Sequence, residues 1–181
     1  MPTVPTKILI ADADVENAEM VADHLSRALA ACVTRVTTAT EALKRDIAEE
    51  FDLVLADLRL PDGDGLGLTR QLQSYRQRPI ILMSDQPTLG RAVEAMRLGV
   101  KDLLTKPFDL ATLATTLRNA VEQHHRDLRK QLRMERLRST CRQLGQERRE
   151  LNRRVELVCC DLVGAYGNLA KKVVEMQSDA S

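Results

Sequence analysis

The apolar positions of residues 1–123 form short continuous runs that each end at a polar residue. The clearest runs occupy residues 8–11, 53–56, 80–83 and 103–105, and a weaker one occupies residues 33–37. Short apolar runs bounded by turn residues are typical of strands that are buried on both faces of a parallel sheet. The pattern therefore predicts five parallel strands.

Between these runs, apolar residues recur at the spacing of one helix face. Ala18, Val21, Leu25 and Leu29 form the clearest set, and such spacing predicts an amphipathic helix. Strands that alternate with helices predict a doubly wound α/β sheet with right-handed crossovers. We therefore expect one α/β domain in residues 1–123.

The predicted strands lead into side chains that carry chemistry. Asp12, Asp57, Ser84 and Lys106 each follow the apolar part of a predicted strand. Because ligands bind beyond the carboxyl ends of the strands in an open parallel sheet, we expect these four side chains at one edge. One Asp after one strand would more simply shape a turn. Four such strand ends favour a reactive site instead. In such a site, paired carboxylates would bind Mg²⁺ and one Asp would form an aspartyl phosphate.

Several short segments, spread over about two thirds of the chain, together resemble the receiver domain of two-component response regulators. The segments are residues 7–12, Asp57 with residues 60–65, Ser84, residues 92–99 and residues 104–108. The resemblance implies a flavodoxin-like, doubly wound five-stranded sheet and a role in signal transduction rather than an enzyme activity. It also implies a cis peptide bond before Pro107, which proline tolerates.

Residue by residue, the resemblance implies a phosphorylation site. Asp57 matches the phosphoacceptor, which receives its phosphoryl group from a sensor histidine kinase. Asp12, Asp57 and the backbone carbonyl of Arg59 match the contacts that hold Mg²⁺. Ser84 matches the hydroxyl that follows the phosphoryl group on activation, and Lys106 matches the lysine that pairs with it.

Three residues depart from the receiver pattern. Ala13 stands where a second adjacent acid is usual, and the side chain of Asp14 is expected to point elsewhere. One Mg²⁺ ligand is then missing, so weak binding is expected, because Mg²⁺ demands a near-ideal octahedron. Asp85 replaces a small residue, and it would either repel a phosphoryl group, supply the missing ligand or face solvent. Leu103 replaces an aromatic ring that moves on activation.

These departures leave two functions open. The first is a phosphorylated response regulator, and the sequence favours it because the predicted phosphoacceptor and lysine are both present. The second is a phosphorylation-independent pseudo-receiver, a scaffold or adaptor that acts by binding alone.

Charge and apolar spacing both change towards the C-terminal third. Residues 1–125 carry 14 Lys and Arg against 18 Asp and Glu, whereas residues 126–181 carry 13 against 8. Residues then step by four and three along a stripe, which consists of Leu137, Cys141, Leu144, Arg148, Leu151, Val155, Val158, Leu162, Ala165, Leu169, Lys172 and Met176. This spacing predicts a coiled coil, and a helix this long needs a partner to bury its stripe. We therefore expect residues 124–181 to form a homodimer, with parallel chains favoured.

Two further interpretations concern this segment. The apolar residues 157–163 exceed what a two-stranded seam needs, so a four-helix bundle and a docking patch for a protein partner are both open. The basic run 126–154 suggests that the segment binds DNA. Its interleaved acids and its lack of aromatic residues instead favour a solvated face of a coiled coil. Nucleic acid is therefore a disfavoured partner.

The remaining features concern location. We find no secretory signal and no apolar run long enough to span a membrane, and the four cysteines include no CxxC pair. The sequence therefore predicts a cytoplasmic protein with reduced thiols and without a membrane partner.

Overall fold

The computed structural model of the protein describes residues 5–178, with side chains as far as residue 168. The elements in chain order are β1 (Lys7–Ala11), α1 (Val15–Leu29), β2 (Cys32–Val36), α2 (Ala39–Ala48), β3 (Leu53–Asp57), β4 (Arg59–Leu60), β5 (Gly63–Asp64), α3 (Gly65–Tyr75), β6 (Ile80–Ser84), α4 (Leu89–Arg97), β7 (Asp102–Thr105) and α5 (Leu110–Ser178). The chain divides into two units after Leu128.

The first unit is built around a parallel sheet with the strand order β2-β1-β3-β6-β7. All four neighbouring strand pairs run parallel, which confirms the predicted five-stranded α/β sheet. The strand order reverses between β1 and β3. In such sheets a crevice opens beyond the carboxyl ends of the strands at the point of reversal. Asp12, which follows β1, and Asp57, which ends β3, lie at this point of reversal.

Both faces of the sheet are buried. Successive side chains of a strand point to opposite faces, so each strand contributes to two cores. Ile8 and Ile10 pack in one core with Leu25 of α1 and Leu117 of α5. The alternate strand residues, such as Leu9, pack in a second core with α3 side chains. Every residue of β3 and β6 is buried. This double burial explains why the strands read as continuous apolar runs.

Helix α4 packs on the sheet through a single small residue. The apolar spacing at residues 92–96 correctly marks a helix, but Ala95 is the only buried residue within it. Leu89 is 82% exposed and Met96 is 62% exposed. A small alanine allows the helix to approach the sheet closely, and the larger apolar side chains are left on the outer face. Apolar spacing here does not identify the buried face.

The segment after β3 contains a short antiparallel hairpin of β4 and β5. At its tip, Asp62 accepts hydrogen bonds from Ala39 N at 2.7 Å and Thr40 N at 2.9 Å, at the start of α2. Hydrogen bonds from Thr40, followed by those from the neighbouring backbone, lower the pKa of Asp62 to about 2. The hairpin is thereby tied to the N-terminus of α2, where a negative charge is favoured.

The second unit is helical from residue 129 to residue 178. Along the predicted stripe, Leu144 is 58% exposed and Leu151 is 62% exposed. No residue of the described part of the chain covers these side chains, and residues 146–168 are likewise all exposed. The predicted stripe positions Leu169, Lys172 and Met176 lie outside the described side chains.

Two findings concern the chain as far as it is described. None of its helices combines the length and apolar character needed to cross a membrane. Its four cysteines are exposed and form no disulfide, and they are Cys32, Cys141, Cys159 and Cys160.

Candidate functional site

Lys106 bridges two carboxylates at the carboxyl edge of the sheet. Its Nζ lies 2.7 Å from Asp12 Oδ2 and 2.6 Å from Asp57 Oδ2. Asp12 follows β1, Asp57 ends β3 and Lys106 follows β7, so the parallel strands bring the three together. The peptide bond between Lys106 and Pro107 is cis. Both carboxylates are buried, so the Lys106 ammonium that they share compensates part of their negative charge.

The position of Lys106 between two carboxylates changes its acidity. Burial lowers the pKa of the Lys106 ammonium, but hydrogen bonds and charge attraction from Asp12 and Asp57 outweigh that effect. The pKa is therefore raised above its ordinary value. Lys106 is charged at neutral pH, and it offsets the repulsion between the two carboxylates.

The two carboxylates also accept hydrogen bonds from donors other than Lys106. Asp12 Oδ2 accepts from Asn17 Nδ2 at 2.8 Å, and Asp12 Oδ1 accepts from Asp14 N at 3.1 Å. Asp57 Oδ1 accepts from Arg59 N at 2.8 Å. The Asp14 side chain caps α1 by accepting from Asn17 N at 3.0 Å, so it does point elsewhere as predicted. The sequence reasoning missed Asn17, and its place in the first turn of α1 was the available signal.

Ser84 lies at the same edge but outside the lysine network. It ends β6, which neighbours β3, and its side chain is buried. Its Oγ accepts from Gln86 N at 3.2 Å, and its backbone oxygen accepts from Lys106 N at 2.8 Å. In the part of the chain that the structure describes, its hydroxyl bonds to neither Asp57 nor the Lys106 ammonium. The role of Ser84 as a phosphoryl partner stays a prediction.

Asp85 forms an ion pair with the guanidinium of Arg59. Both side chains are well exposed, at 47% for Asp85 and 62% for Arg59. None of the three sequence-based alternatives for Asp85 foresaw this partner. Since the backbone N–H of Arg59 also bonds to Asp57, one residue connects Asp85 with the site.

The loop that follows Asp57 is held from two directions. A Cβ at Gly65 would collide with the backbone oxygen of Asp57, so glycine is required by this close approach. From α4, Arg91 lies 3.3 Å from each carboxylate oxygen of Asp64 and 3.5 Å from Leu58 O. These contacts fix the backbone beyond Asp57 against both α3 and α4.

The donors at this edge fit a divalent-cation site. Carboxylate oxygens of Asp12 and Asp57 are hard ligands of the kind that Mg²⁺ prefers. Among the described residues, no group of three or more His, Cys, Asp or Glu side chains is arranged to hold a metal ion. Lys106 also competes with a cation for the same two oxygens.

With this geometry, the comparison with known families is decisive. The family described as the response regulator receiver domain matches residues 8–118. The chain belongs to this family. Receiver domains act in two-component systems, are phosphorylated by histidine kinases and generally bind Mg²⁺ at their acidic pocket. The resemblance inferred from residues 7–12 and the later motifs is thereby confirmed.

Two curated relatives share the receiver region. The KDP operon transcriptional regulatory protein KdpE of Escherichia coli K12 is 34% identical over 123 residues, which are 66% of this chain and 52% of KdpE. The response regulator protein PilR of Pseudomonas aeruginosa is 43% identical over 88 residues, 46% of this chain and 19% of PilR. The chain thus spans about half of KdpE and a smaller part of PilR.

Two solved structures show the same fold. A CheY-like response regulator receiver domain protein from Methanospirillum hungatei superposes with a TM-score of 0.66 at 23% identity, covering 68% of this chain and 99% of the other. The signal receiver domain of an HD domain-containing protein from Pseudomonas fluorescens Pf-5 gives 0.64 at 30% identity, covering 67% and 98%. The likeness to the first of these shows the receiver fold alone.

Proposed function

We propose that this protein is a cytoplasmic response regulator that accepts a phosphoryl group on Asp57 from a sensor histidine kinase. One observation carries the proposal: a buried Asp57 at the sheet edge shares the Lys106 ammonium with a second carboxylate. This arrangement supports the proposal, because an aspartyl-phosphate site needs a nucleophilic carboxylate with a cation and an acidic neighbour close to it.

The proposed transfer follows from the positions of these side chains. An oxygen of Asp57 attacks the phosphorus of a phosphohistidine, forming an O–P bond. The P–N bond breaks, and its electron pair leaves with the imidazole nitrogen. Lys106 faces the oxygens where negative charge accumulates, so it stabilises the transfer electrostatically. Mg²⁺, when bound through Asp12, Asp57 and the Arg59 carbonyl, supplies additional charge neutralisation.

A phosphorylation assay tests this proposal directly. Incubation with acetyl phosphate and Mg²⁺, followed by intact-mass measurement, is expected to add one phosphoryl group to the wild type. Asp57→Ala is expected to remove the adduct. Asp102→Ala is the matched control, because Asp102 begins β7 at the opposite edge of the sheet. An adduct that survives Asp57→Ala would place the phosphoacceptor elsewhere.

We further propose that residues 1–123 form the receiver and residues 124–181 form a homodimeric, parallel coiled coil that passes the signal to a protein partner. The support is the exposed stripe, in which Leu137, Leu144 and Leu151 recur every seven residues and are each more than half exposed. A long helix is stabilised mainly by burial of such a stripe. A second copy of the chain supplies an identical stripe to cover it.

A second candidate is the phosphorylation-independent scaffold. Asp85 beside the site and Ala13 in place of an acid favour it, because both weaken a site for Mg²⁺ and phosphate. Leu103 is partly buried against the core and offers no ring to move. Absence of an adduct on the wild type, together with dimerisation, would support this candidate over the first.

A further inference from the structure

We propose that the Arg59–Asp85 ion pair is a latch at the mouth of the Asp57 site, and that Arg59 exchanges Asp85 for the phosphoryl group once Asp57 is phosphorylated. This inference rests on the proposed function. It assigns Arg59 a positioning role through its side chain, in addition to the predicted metal contact of its backbone carbonyl. Asp85 becomes the residue that holds Arg59 before phosphorylation.

The latch joins the exits of two neighbouring strands. Arg59 begins β4, two residues after Asp57 ends β3. Asp85 follows Ser84, which ends β6. Strands β3 and β6 pair directly, with Asp57 opposite Met83. The ion pair between Arg59 and Asp85 therefore spans the same edge at which the phosphoryl group would arrive.

The two halves of Arg59 are held differently. Its backbone N–H donates to Asp57 Oδ1 at 2.8 Å, which ties its main chain to the phosphoacceptor. Its guanidinium bonds only to Asp85 among the described residues, and it is largely exposed. The guanidinium can therefore change its partner while the backbone N–H stays bonded to Asp57.

Phosphorylation changes which partner Arg59 prefers. Exposed ion pairs contribute little to stability, so the pair with Asp85 breaks readily. A phosphoryl group carries close to two negative charges and three strong acceptor oxygens, which suit the planar guanidinium better than one exposed carboxylate does. The same group repels Asp85. Attraction and repulsion thus both favour the exchange.

The exchange also accounts for two departures from the receiver pattern. Ala13 removes an acid and weakens the cation site, which leaves Lys106 as the ammonium that contacts Asp57. Arg59 supplies a second cation to the phosphorylated site. Asp85, which alone would repel the phosphoryl group, is neutralised by Arg59 until that group arrives. The pair therefore turns an unfavourable carboxylate into part of the site.

The first test asks whether the latch exists and moves. The side-chain Nε–H signal of Arg59, assigned by its loss in Arg59→Lys, is followed in ¹⁵N-labelled full-length protein. The signal is expected to shift in Asp85→Asn and, in the wild type, on addition of acetyl phosphate with Mg²⁺. An Arg59 signal whose chemical shift is unchanged in Asp85→Asn would overturn the latch, whether or not Asp57 is phosphorylated.

The second test measures the lifetime of the adduct by intact mass after the phosphoryl donor is removed. Arg59→Ala is expected to shorten the lifetime of the adduct about tenfold, because loss of one charge-assisted hydrogen bond corresponds to about that factor. Arg59→Lys is expected to restore part of the lifetime. Arg70→Ala is the control. Arg70 pairs with Glu94 at 3.3 Å, and the two side chains are 64% and 50% exposed, much like the latch.

The outcomes separate this inference from the proposed function. An adduct on the wild type whose lifetime is unchanged in Arg59→Ala overturns the latch and leaves phosphorylation of Asp57 standing. No adduct on the wild type or on any variant overturns both. An adduct that forms only in Asp85→Asn overturns the exchange, because Asp85 then repels the phosphoryl group in the wild type although Arg59 is present.

Discussion

The two units of the chain treat their apolar residues in opposite ways. In the first unit, strand side chains such as Leu9 and Leu55 are completely buried by the unit itself. In the second, Leu144 and Leu151 are mostly exposed although their spacing is equally regular. Regular spacing therefore shows which residues need burial but does not show what buries them. The first unit completes its own core, whereas the stripe of the second is proposed to be covered by a second copy of the chain, so the stability of the second unit is expected to depend on protein concentration.

The largest effect should come from removing core volume in the first unit. Leu55→Ala is expected to lower the free energy of unfolding by about 2–5 kcal/mol, through lost burial and a residual cavity. Leu144→Ala removes the same atoms from an exposed position and should leave the unfolding of the receiver unchanged. Urea denaturation of the full chain, followed by circular dichroism, measures both. Equal losses would contradict the contrast between the units.

Lys106→Met should have the next largest effect on the receiver. It leaves the buried carboxylates of Asp12 and Asp57 without their shared ammonium, and removal of one partner of such a cluster costs about 3 kcal/mol. Adding Asp57→Asn should recover part of that loss, because one of the two repelling charges disappears. The same denaturation experiment measures the recovery. An unchanged or larger loss in the double variant would argue against charge repulsion as the cause.

For the second unit, Leu144→Lys should disrupt self-association. It replaces two apolar side chains across the dimer by two charges, which is expected to raise the dissociation constant about a hundredfold or more. Ser139→Lys adds the same charge off the stripe and serves as the control. Sedimentation equilibrium measures both variants. A wild-type monomer, or equal weakening by both substitutions, would contradict a dimer formed through the stripe.

The smallest effect is a dependence on pH. The pKa of Lys106 is raised in the folded protein, so its stabilising contribution is fully present below the unfolded pKa of about 10.4 and is lost as pH rises through the higher folded value. The stability difference between the wild type and Lys106→Met should therefore be constant from pH 7 to about 9 and shrink at higher pH. A difference that shrinks towards acidic pH within that range would have the wrong sign.

The central site was largely predictable because it depends on strand order and strand ends. Continuous apolar runs identified the buried strands, and parallel strands must bring their carboxyl ends to one edge. Asp12, Asp57 and Lys106 therefore lie together as the runs predicted. The position of Ser84 at this edge follows from the same rule, although its hydroxyl bonds to Gln86 N.

The features that the sequence did not predict depend on side-chain contacts between segments that are distant in the sequence. Arg59 reaches Asp85, which is 26 residues away, because two loop exits happen to lie side by side. Asp62 reaches the start of α2 in the same manner. The buried face of α4 depends on Ala95, a small residue that carries little weight in an apolar pattern. Such contacts follow from the assembled fold and not from local spacing.

The most direct test of the central claim is the chemical identification of the phosphorylated residue. After incubation with acetyl phosphate and Mg²⁺, borohydride reduction converts an aspartyl phosphate to homoserine, and peptide mass spectrometry locates the change. We expect homoserine at position 57 and at no other aspartate. Homoserine at another position, or intact Asp57 in a sample that carries the phosphoryl group, would contradict the account.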